Sequence, residues 1–503
     1  MKVDPHYDLL VVGGGITGAA VLHAASRRGL KALLIDRGDF AGGTSSWSSK
    51  LIHGGLRYLK AGQWRMTLES VRERERLLVE RPGLVEPQPF VMPILAGSRP
   101  GPFALGAAFR IADRMAGRRT SRRIAAAEAL ALEPGLAAEG LRAAIAYRDG
   151  VVDDARLVLR LIFDAVAAGA QALNHVEATG IERDGRVVGA RLEDRLDGSR
   201  AEVRATVTVH ATGVWADAAP GAPVLRPLRG SHLVFAASTL PLRHGLAWLH
   251  PRDRRPVFAH VWEGAVLVGT TDVDHPDAGV PATISPEEAD YLVEALRLPF
   301  PRLRLDAAQA LSAFAGLRAI VVPPGEAHLP PSAMGRDSAL WTRPGLVGIT
   351  GGKLTTHRAT AAEVLREVEV QGLAVAAEPS PASAPVSASA ATRLAGRLGS
   401  SGAAWVAARP AEERLALPTT PYCLAELRWS MREEQVRRLD DLLLRRTRLG
   451  LVAPGGGEAL LAMLEAPCRE DLGWDAVRWV EEAARYRAHW AARHAPPAHN
   501  RRS

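Results

Sequence analysis

The segment DLLVVGGGITG, residues 8–18, constrains the fold of this chain more than any other. A short apolar stretch, residues 9–12, runs into Gly13, Gly15 and Gly18 with the spacing G-x-G-x-x-G, and a helix-compatible stretch follows. Glycines at these places allow a tight turn, close approach of a pyrophosphate to the backbone and close helix packing, while the helix N-terminus faces the anion. The sequence therefore predicts a strand–turn–helix unit that binds a dinucleotide.

A second strand supports this interpretation. Gly29 ends the first helix, the strand KALLID follows, and Asp36 closes it. This acid lies about 20 residues beyond the glycines, where a carboxylate accepts hydrogen bonds from ribose hydroxyls. Asp36 also argues against a 2′-phosphate, which a basic residue would bind. Strand, helix, strand and acid thus predict an α/β fold with a Rossmann-like domain.

A polar run, TSSWSSKLIHGGLRY at residues 44–58, indicates which dinucleotide is bound. It is too polar and too rich in glycine for a core strand. It suits a backbone that follows a long cofactor, with hydroxyl and amide groups meeting phosphates and a sugar chain. NAD and FAD both satisfy the glycine fingerprint, and this run favours FAD.

The chain resembles the FAD-dependent glycerol-3-phosphate dehydrogenases of the aerobic, respiratory type and the related glycerol-3-phosphate oxidases. The resemblance runs in order along most of the chain. It is carried by VVGGGITGA, TSSWSSKLIHGGLRYL, DGVVDDARLVL, ATGVWAD, RGSHLVF, VGTTDVD and GGKLTTHR. The combination of SSKLIHGGLRYL with GGKLTT is specific to this family among flavoproteins.

The resemblance, with the α/β pattern, implies a Rossmann-like FAD-binding domain interleaved with a β-rich (α+β) substrate domain and followed by a C-terminal helical domain. We assign residues 1–90, 145–235 and 335–375 to the FAD-binding domain, 91–144 and 236–334 to the substrate domain, 376–392 to a linker and 393–503 to the helical domain. The linker contains EPSPASAPVSASA, too rich in Pro, Ser and Ala to pack. In the last domain, Leu424, Leu427, Met431, Val436, Leu439 and Leu443 form a helical stripe. We expect that stripe to be the core face and the arginines around it to be solvated.

The resemblance also implies noncovalent FAD, and no cysteine or histidine attachment motif lies in the flavin segments. Neither cysteine of the chain has metal-ligand spacing, so we expect no metal. The residues that it places against FAD are Gly13, Gly15, Gly18, Asp36, Thr44, Ser45, Ser46, Ser49, Lys50, Leu51, Val176, Thr212, Gly213, Gly352, Lys353, Leu354 and Thr355.

Two histidines are candidates for a catalytic base. Oxidising a secondary alcohol requires a base within reach of the hydroxyl and cations that offset the developing alkoxide and the reduced flavin. His232 in RGSHLVF and His53 in LIHGG both suit the task, because a neutral imidazole has a pKa near working pH. We favour His232 and leave His53 open.

Lys353 follows the glycine turn in GITGGKLTTHR. Of 63 basic residues only five are lysines, so a lysine inside a motif indicates a place that guanidinium cannot fill. We expect a helix to begin near Leu354, capped by Thr355 or Thr356, with its N-terminus and Lys353 stabilising negative charge on the flavin.

A phosphate dianion as part of the substrate requires several cations, preferably bidentate arginines. The resemblance places Arg57, Arg318 and Arg336 around the substrate, together with Thr270 and Lys353. The chain departs from the family at His357, where a tyrosine is common, so contacts of that ring do not carry over.

The reaction that the resemblance implies is oxidation of sn-glycerol 3-phosphate to dihydroxyacetone phosphate, with electrons passed to a quinone. Alternatives are a glycerol-3-phosphate oxidase that reduces oxygen, or a relative that acts on another small hydroxy or amino acid. A non-catalytic flavin-binding subunit is disfavoured by intact Lys353, Arg318 and His232. The oligomeric state stays open, with a homodimer as one arrangement.

Composition bounds the location of the protein. Two cysteines, Cys423 and Cys468, form no disulfide framework, which favours a reducing compartment with both thiols buried. No apolar run reaches the length of a spanning helix, so we expect a cytoplasmic protein, either soluble or peripheral on the cytoplasmic face of the inner membrane. The net charge is +8, but basic and acidic residues are interspersed along the chain, which disfavours binding to nucleic acid.

Overall fold

The structure is a computed structural model that describes residues 1–54, 64–323, 325, 334–335, 337–378 and 390–497. Its first layer is a sheet with a parallel centre, as the uninterrupted apolar strands require. The strand order is Ala339–Arg343, Leu346–Thr350, Arg200–His210, His6–Val12, Ala32–Ile35 and Gln171–Leu173. Val176–Arg183 and Arg186–Asp194 extend it as an antiparallel hairpin on Arg200–His210.

Three helices cover the first sheet: Ile16–Ser26, Asp154–Ala167 and His357–Val370. Their apolar faces share one core with the strands, including Val11, Leu34, Val158 and Val364, all fully buried. The carboxyl ends of the parallel strands therefore lie at one edge of the sheet, where a cofactor site is expected.

The second sheet is mainly antiparallel. Its strand order is Val273–Asp274, Leu225–Ala236, Ala265–Gly269, Pro256–Trp262, Gly245–Leu249, Val85–Leu95, Leu141–Val152 and Leu51–Ile52, with Ser312–Val321 on Leu225–Ala236 and Arg122–Ala125 on Leu141–Val152. Four helices belong to this part of the chain: Trp64–Glu80, Pro102–Met115, Ala126–Leu132 and Pro286–Arg297. The sheet takes strands from ranges that the sequence assigned to both domains, so the domain limits stay predictions.

The C-terminal region is helical: Ala390–Ala407, Ala411–Arg414, Leu424–Glu433, Leu439–Asp441, Leu449–Val452, Glu458–Leu472 and Ala476–Arg493, with one π-helical turn, Leu442–Arg446. The fold class predicted from the sequence is confirmed. The predicted stripe packs in a core that also takes Val234, Trp262 and Phe314 from the second sheet.

The expectation that the arginines of this region are solvated is wrong. Arg445, Arg446 and Arg448 are buried. Periodicity could not show this, because each of them reaches carboxylates that are distant in sequence, such as Asp39 and Asp153.

The acids in DGVVDDARLVL predict a helix that begins near Asp153 and Asp154, because carboxylates favour a helix N-terminus, and the structure confirms this start. Asp153 caps the helix Asp154–Ala167, and its carboxylate accepts a hydrogen bond from the Arg156 amide at 3.2 Å. The other predicted start, near Leu354, is three residues early, since that helix begins at His357; Thr356 holds the N-cap position as one of the two predicted caps, but its side chain makes no capping hydrogen bond. Gly351 and Gly352 hold φ angles of +74° and +80° and form the turn that precedes this segment.

Candidate active site

A cavity of about 1960 Å³ lies where the two sheets meet. Its wall combines the glycine turn and the polar run of the first sixty residues with strand ends of the second sheet. Of the candidate residues, the following line it: Gly13, Gly15, Asp36, Thr44, Ser45, Ser49, Leu51, His53, Val176, Thr212, Gly213, Thr270, Arg318, Gly352, Lys353, Leu354 and Thr355. Arg57 and Arg336 lie outside the described residues.

The three fingerprint glycines have different surroundings. Gly13 has φ of +112°, and a Cβ there would lie 2.4 Å from the Ala211 carbonyl oxygen. A Cβ on Gly18 would lie 1.9 Å from the Gly13 oxygen, so Gly18 serves close packing beneath the turn. At Gly15, the nearest atom would be the Ser45 Oγ at 3.3 Å. Gly15 is thus open to the cavity, and it allows a ligand to approach the backbone at the helix start.

Asp36 closes the second strand beside this turn. Its two carboxylate oxygens accept hydrogen bonds from the amides of Gly14, at 2.7 Å, and Gly38, at 2.8 Å. Burial raises the pKa of Asp36, and the two amide hydrogen bonds counteract the increase. The carboxylate is therefore held at the cavity wall with lone pairs left for a ribose hydroxyl.

The polar run is fixed to its surroundings through side chains. Thr44 Oγ1 donates to the Leu317 carbonyl at 2.6 Å, which links the first motif to the second sheet. Ser45 Oγ accepts from the Ile16 amide at 2.9 Å. These contacts hold the backbone of residues 44–49 along the cavity, as the motif predicted.

Lys50 and Ser46 occupy a different place from the one predicted. Lys50 is fully buried, and its Nζ lies 2.8 and 2.9 Å from the two oxygens of Asp154 and also contacts the Ser46 carbonyl. The Trp262 and Phe314 rings surround the ammonium, and burial lowers its pKa to about 8. Neither residue is among those that line the cavity, so Lys50 anchors the motif from behind.

His232 also lies behind the cavity wall. Its Nε2 is 2.9 Å from the Ser49 Oγ, and its Nδ1 has no partner among the described residues. The ring stacks on Phe314, and burial, with the positive charges of Arg318 and Lys50, holds the pKa of His232 well below its usual value. The imidazole is therefore neutral, and Ser49 stands between it and the cavity. His53, in contrast, lies on the cavity wall.

Arg318 is held in a fixed orientation. Its guanidinium donates to Thr270 Oγ1 at 3.1 Å, to Asp272 Oδ1 at 3.1 Å and to the Thr271 carbonyl at 3.3 Å. Asp272 also binds Arg255, whose guanidinium donates to the Asp272 carbonyl oxygen at 3.0 Å. Both arginines line the cavity, so one carboxylate positions two cations for an anionic ligand.

Lys353 is half-buried and lines the cavity from the loop that follows Gly351 and Gly352. Thr350 Oγ1 donates to the Gly213 carbonyl at 2.7 Å, which ties this loop to the strand end at Thr212. The loop thus brings a point charge to the same cavity as Arg318.

The sequence reasoning missed several wall residues, among them Arg255, Arg37, Asp440 and Arg445. Arg255 lies in the run RDRR, which nothing distinguishes from other basic runs in a chain with 63 basic residues. Arg445 and Asp440 come from the C-terminal region, about 400 residues from the glycine turn, so no local motif could have placed them there.

His175, Asp39 and Asp441 form a cluster with metal-like spacing. Arg445 and Arg446 both contact the Asp39 carboxylate, and the His175 Nε2 lies 3.1 Å from Asp441. Arginines balance these carboxylates, so the cluster is a buried ion-pair network.

Residues 8–365 match the family model of the FAD-dependent oxidoreductases, and residues 346–479 match that of the C-terminal domain of alpha-glycerophosphate oxidase. The aerobic glycerol-3-phosphate dehydrogenase of Bacillus subtilis is 36% identical over 370 residues, which cover 71% of this chain and 66% of that protein. The enzyme of the same name from Staphylococcus haemolyticus is 33% identical, over 72% of this chain and 67% of its own length. The match therefore spans about two thirds of these relatives.

Two solved structures are also similar. The glycerol-3-phosphate dehydrogenase of Bacillus halodurans, solved in complex with FAD, is 27% identical, with a TM-score of 0.75, and the match covers 97% of this chain and 94% of that one. L-alpha-glycerophosphate oxidase of Mycoplasma pneumoniae is 21% identical, with a TM-score of 0.57 over 73% of this chain and 95% of that chain, and shows the shared fold.

The cavity fits FAD. Gly15 leaves room for a pyrophosphate at the start of Ile16–Ser26, where no side chain caps the helix. Asp36 lies on the wall beside this turn, and Lys353, Thr44, Ser45, Ser48 and Ser49 also line the cavity. An extended cofactor can therefore reach from the glycine turn to the arginines of the second sheet.

Proposed function

This chain belongs to the family of FAD-dependent oxidoreductases, and we propose that it oxidises sn-glycerol 3-phosphate to dihydroxyacetone phosphate and passes the electrons to a quinone. The relatives with this activity in their names support the substrate. The observation that carries the proposal is the pair of cations on Asp272: Arg318 and Arg255 face the cavity that also holds the glycine turn.

Gly15, Asp36 and Thr44 would hold FAD in the cavity, and the cofactor would supply the acceptor for the hydride of the carbinol carbon. Arg318 and Arg255 bind the phosphate of the substrate, and Thr270 contributes its hydroxyl to the same subsite. Because Asp272 fixes both arginines before the substrate arrives, little conformational entropy is lost on binding. Arg57 and Arg336 remain candidates for the same subsite.

Lys353 supplies a compact positive charge near the reacting atoms. A preorganised charge in a cavity that excludes water stabilises developing negative charge more than it would in water. Its place after two glycines, with Thr350 tied to Gly213, keeps the ammonium at the wall.

We infer that the hydroxyl proton leaves through Ser49 to His232. The Ser49 Oγ lines the cavity and lies 2.9 Å from the His232 Nε2. The lowered pKa of His232 keeps the imidazole in the unprotonated form that a base requires, while burial and the charges of Arg318 and Lys50 weaken its basicity. His53 on the cavity wall is the alternative base, and variants separate the two.

The electron acceptor is tested on the purified holoprotein. Turnover of glycerol 3-phosphate with a water-soluble quinone, and little peroxide in air without it, is the expected result. Stoichiometric peroxide release with no stimulation by quinone would assign the protein as an oxidase. No turnover of glycerol 3-phosphate with any acceptor would refute the proposed substrate.

A further inference from the structure

A basic surface lies on the helix Pro102–Met115 and the segment that follows it, through the strand Arg122–Ala125. Residues 97–125 contain seven arginines and one acidic residue, Asp113. All seven arginines are exposed: Arg99, Arg110, Arg114, Arg118, Arg119, Arg122 and Arg123. We call this surface the basic face.

The helix of the basic face is amphipathic. Phe103, Arg110 and Arg114 are spaced by seven and four residues, so they lie on one side of the helix. All three are exposed, and Phe103 is 80% exposed. The Arg123 guanidinium carbon lies 4.8 Å from the centre of the Phe103 ring, so an aromatic ring stands among cations on this face.

The charge of the basic face is not neutralised by the protein. Arg118 pairs with Glu75, and Arg122 pairs with Glu128. Within the described residues, Arg110, Arg114, Arg119 and Arg123 form no ion pair. The one acid of the segment points inward, where Asp113 accepts hydrogen bonds from Thr120 and Ser121.

Another helix with exposed apolar side chains lacks this combination. Ala476–Arg493 exposes Val477 and Val480, but its Arg478 and Arg487 pair with Glu482 and Glu458. Val477 and Val480 thus lie beside paired arginines, whereas Phe103 of the basic face lies beside Arg123, which forms no ion pair among the described residues.

The inner side of the same helix borders the cavity. Leu105, Phe109, Ile111 and Ala112 line it, opposite Met92 and Trp248 of the second sheet. We call this part of the cavity wall the apolar lobe. A single helix therefore separates an apolar lobe from a basic, aromatic surface.

We propose that the basic face is the docking surface of this protein on an anionic lipid bilayer. The unpaired arginines bind lipid phosphates, and Phe103 enters the interface between headgroups and acyl chains, as in interfacial amphipathic helices. Docking in this orientation brings the apolar lobe of the cavity next to the bilayer. That consequence rests on the proposed function, since it gives a lipophilic quinone a short path to the flavin.

The test uses the purified holoprotein and sedimentation with lipid vesicles. The parent protein is expected to bind phosphatidylcholine vesicles that contain phosphatidylglycerol and to bind pure phosphatidylcholine vesicles weakly. Each basic residue near an anionic surface contributes about 1 kcal/mol. The triple variant R110Q/R114Q/R119Q should therefore lose on the order of a hundredfold in affinity for the anionic vesicles.

A matched control keeps the test specific. R183Q/R366Q/R414Q removes the same net charge from exposed arginines without ion pairs elsewhere on the described surface and should bind within about threefold of the parent. F103S, which keeps all charges, should weaken binding less than the triple variant does. All these side chains lie outside the cavity wall, so turnover of glycerol 3-phosphate with a soluble dye should not change.

Equal loss of binding in the triple variant and its control would overturn the proposal in favour of general charge attraction. Absence of vesicle binding by the parent would overturn it as well. A different result would refute the proposed function. In that case the protein would still bind vesicles, but glycerol 3-phosphate would not reduce the dye.

Discussion

At the scale of single residues, Lys353 is the charge whose chemical type matters most. A planar guanidinium cannot act as a compact point charge next to the turn at Gly351 and Gly352. We therefore expect Lys353→Arg to be nearly as damaging as Lys353→Ala. Flavin reduction by glycerol 3-phosphate should slow at least tenfold, equivalent to about 1.4 kcal/mol of barrier. The measurement is anaerobic stopped-flow absorbance, with the spectrum of the oxidised variants confirming that FAD is bound. Fast reduction in Lys353→Arg would contradict the specific role of lysine.

The pair formed by Ser49 and His232 is a second residue-scale prediction. If the proton passes through Ser49 to His232, Ser49→Ala and His232→Gln should each slow flavin reduction by roughly a hundredfold or more, a typical share for a general base. The pH profile of the reduction rate should change in both variants. His53→Gln is the comparison, and a loss confined to that variant would assign the base to His53.

At the scale of elements, the N-terminus of the helix Asp154–Ala167 joins the polar run to the C-terminal region. Arg448 lies 2.8 Å from Asp153 and 2.5 Å from Asp154, and Lys50 binds Asp154 from the other side. All four side chains are fully buried. These ion pairs hold the backbone of residues 46–50 against the second sheet.

We predict that Arg448→Met lowers the free energy of unfolding by about 3–5 kcal/mol, because it removes the cation that two buried carboxylates share and leaves Asp153 with Arg397 alone and Asp154 with Lys50 alone. Denaturant unfolding monitored by circular dichroism measures the change. Arg487→Met removes an exposed pair with Glu458 and should cost less than about 1 kcal/mol. Similar losses of unfolding free energy in the two variants would contradict the prediction that the buried ion pairs contribute more to stability than the exposed one.

His357 begins the helix His357–Val370 and is buried, and this burial lowers its pKa to about 4. The unfolded chain binds a proton more readily than the folded one, so the stability that this group contributes is present above pH 6.5 and is lost as the pH falls through that value toward 4. His357→Tyr introduces the residue common in the family. Its unfolding free energy should fall less steeply than that of the parent between these pH values. Parallel pH profiles would show that His357 does not titrate on unfolding.

At the scale of the whole molecule, local patterns predicted elements well and long-range partners poorly. The glycine turn, Asp36 and the cap at Asp153 follow from short-range rules, and each lies where the sequence indicated. The sequence around Lys50 did not indicate that its ammonium forms an ion pair with Asp154. Arg445 likewise reaches Asp39 across the chain, a contact that only the tertiary fold creates.

The sequence predicted that cations form the substrate subsite, but it did not identify all the residues that contribute to it. Motif position placed Arg318 and Thr270 together, and the structure gives them a hydrogen bond of 3.1 Å. Arg255 shares Asp272 with Arg318, although nothing in its local sequence marked it. The net charge of +8 likewise gave no sign of the exposed arginines of residues 97–125, because a whole-chain sum does not show where along the chain the charge lies.

Anaerobic reduction of the bound flavin by glycerol 3-phosphate and by glycerol, compared in the parent and in Arg318→Ala, tests the central claim most directly. Arg226→Ala serves as the control, since its pair with Asp274 lies at the surface of the same sheet. We predict rapid bleaching by glycerol 3-phosphate and very slow bleaching by glycerol in the parent. The apparent affinity for the phosphate ester should fall by at least tenfold in Arg318→Ala only, because a charge-assisted contact in a closed site contributes about 2–5 kcal/mol. Equal bleaching of the parent by glycerol and by its phosphate ester would contradict the account.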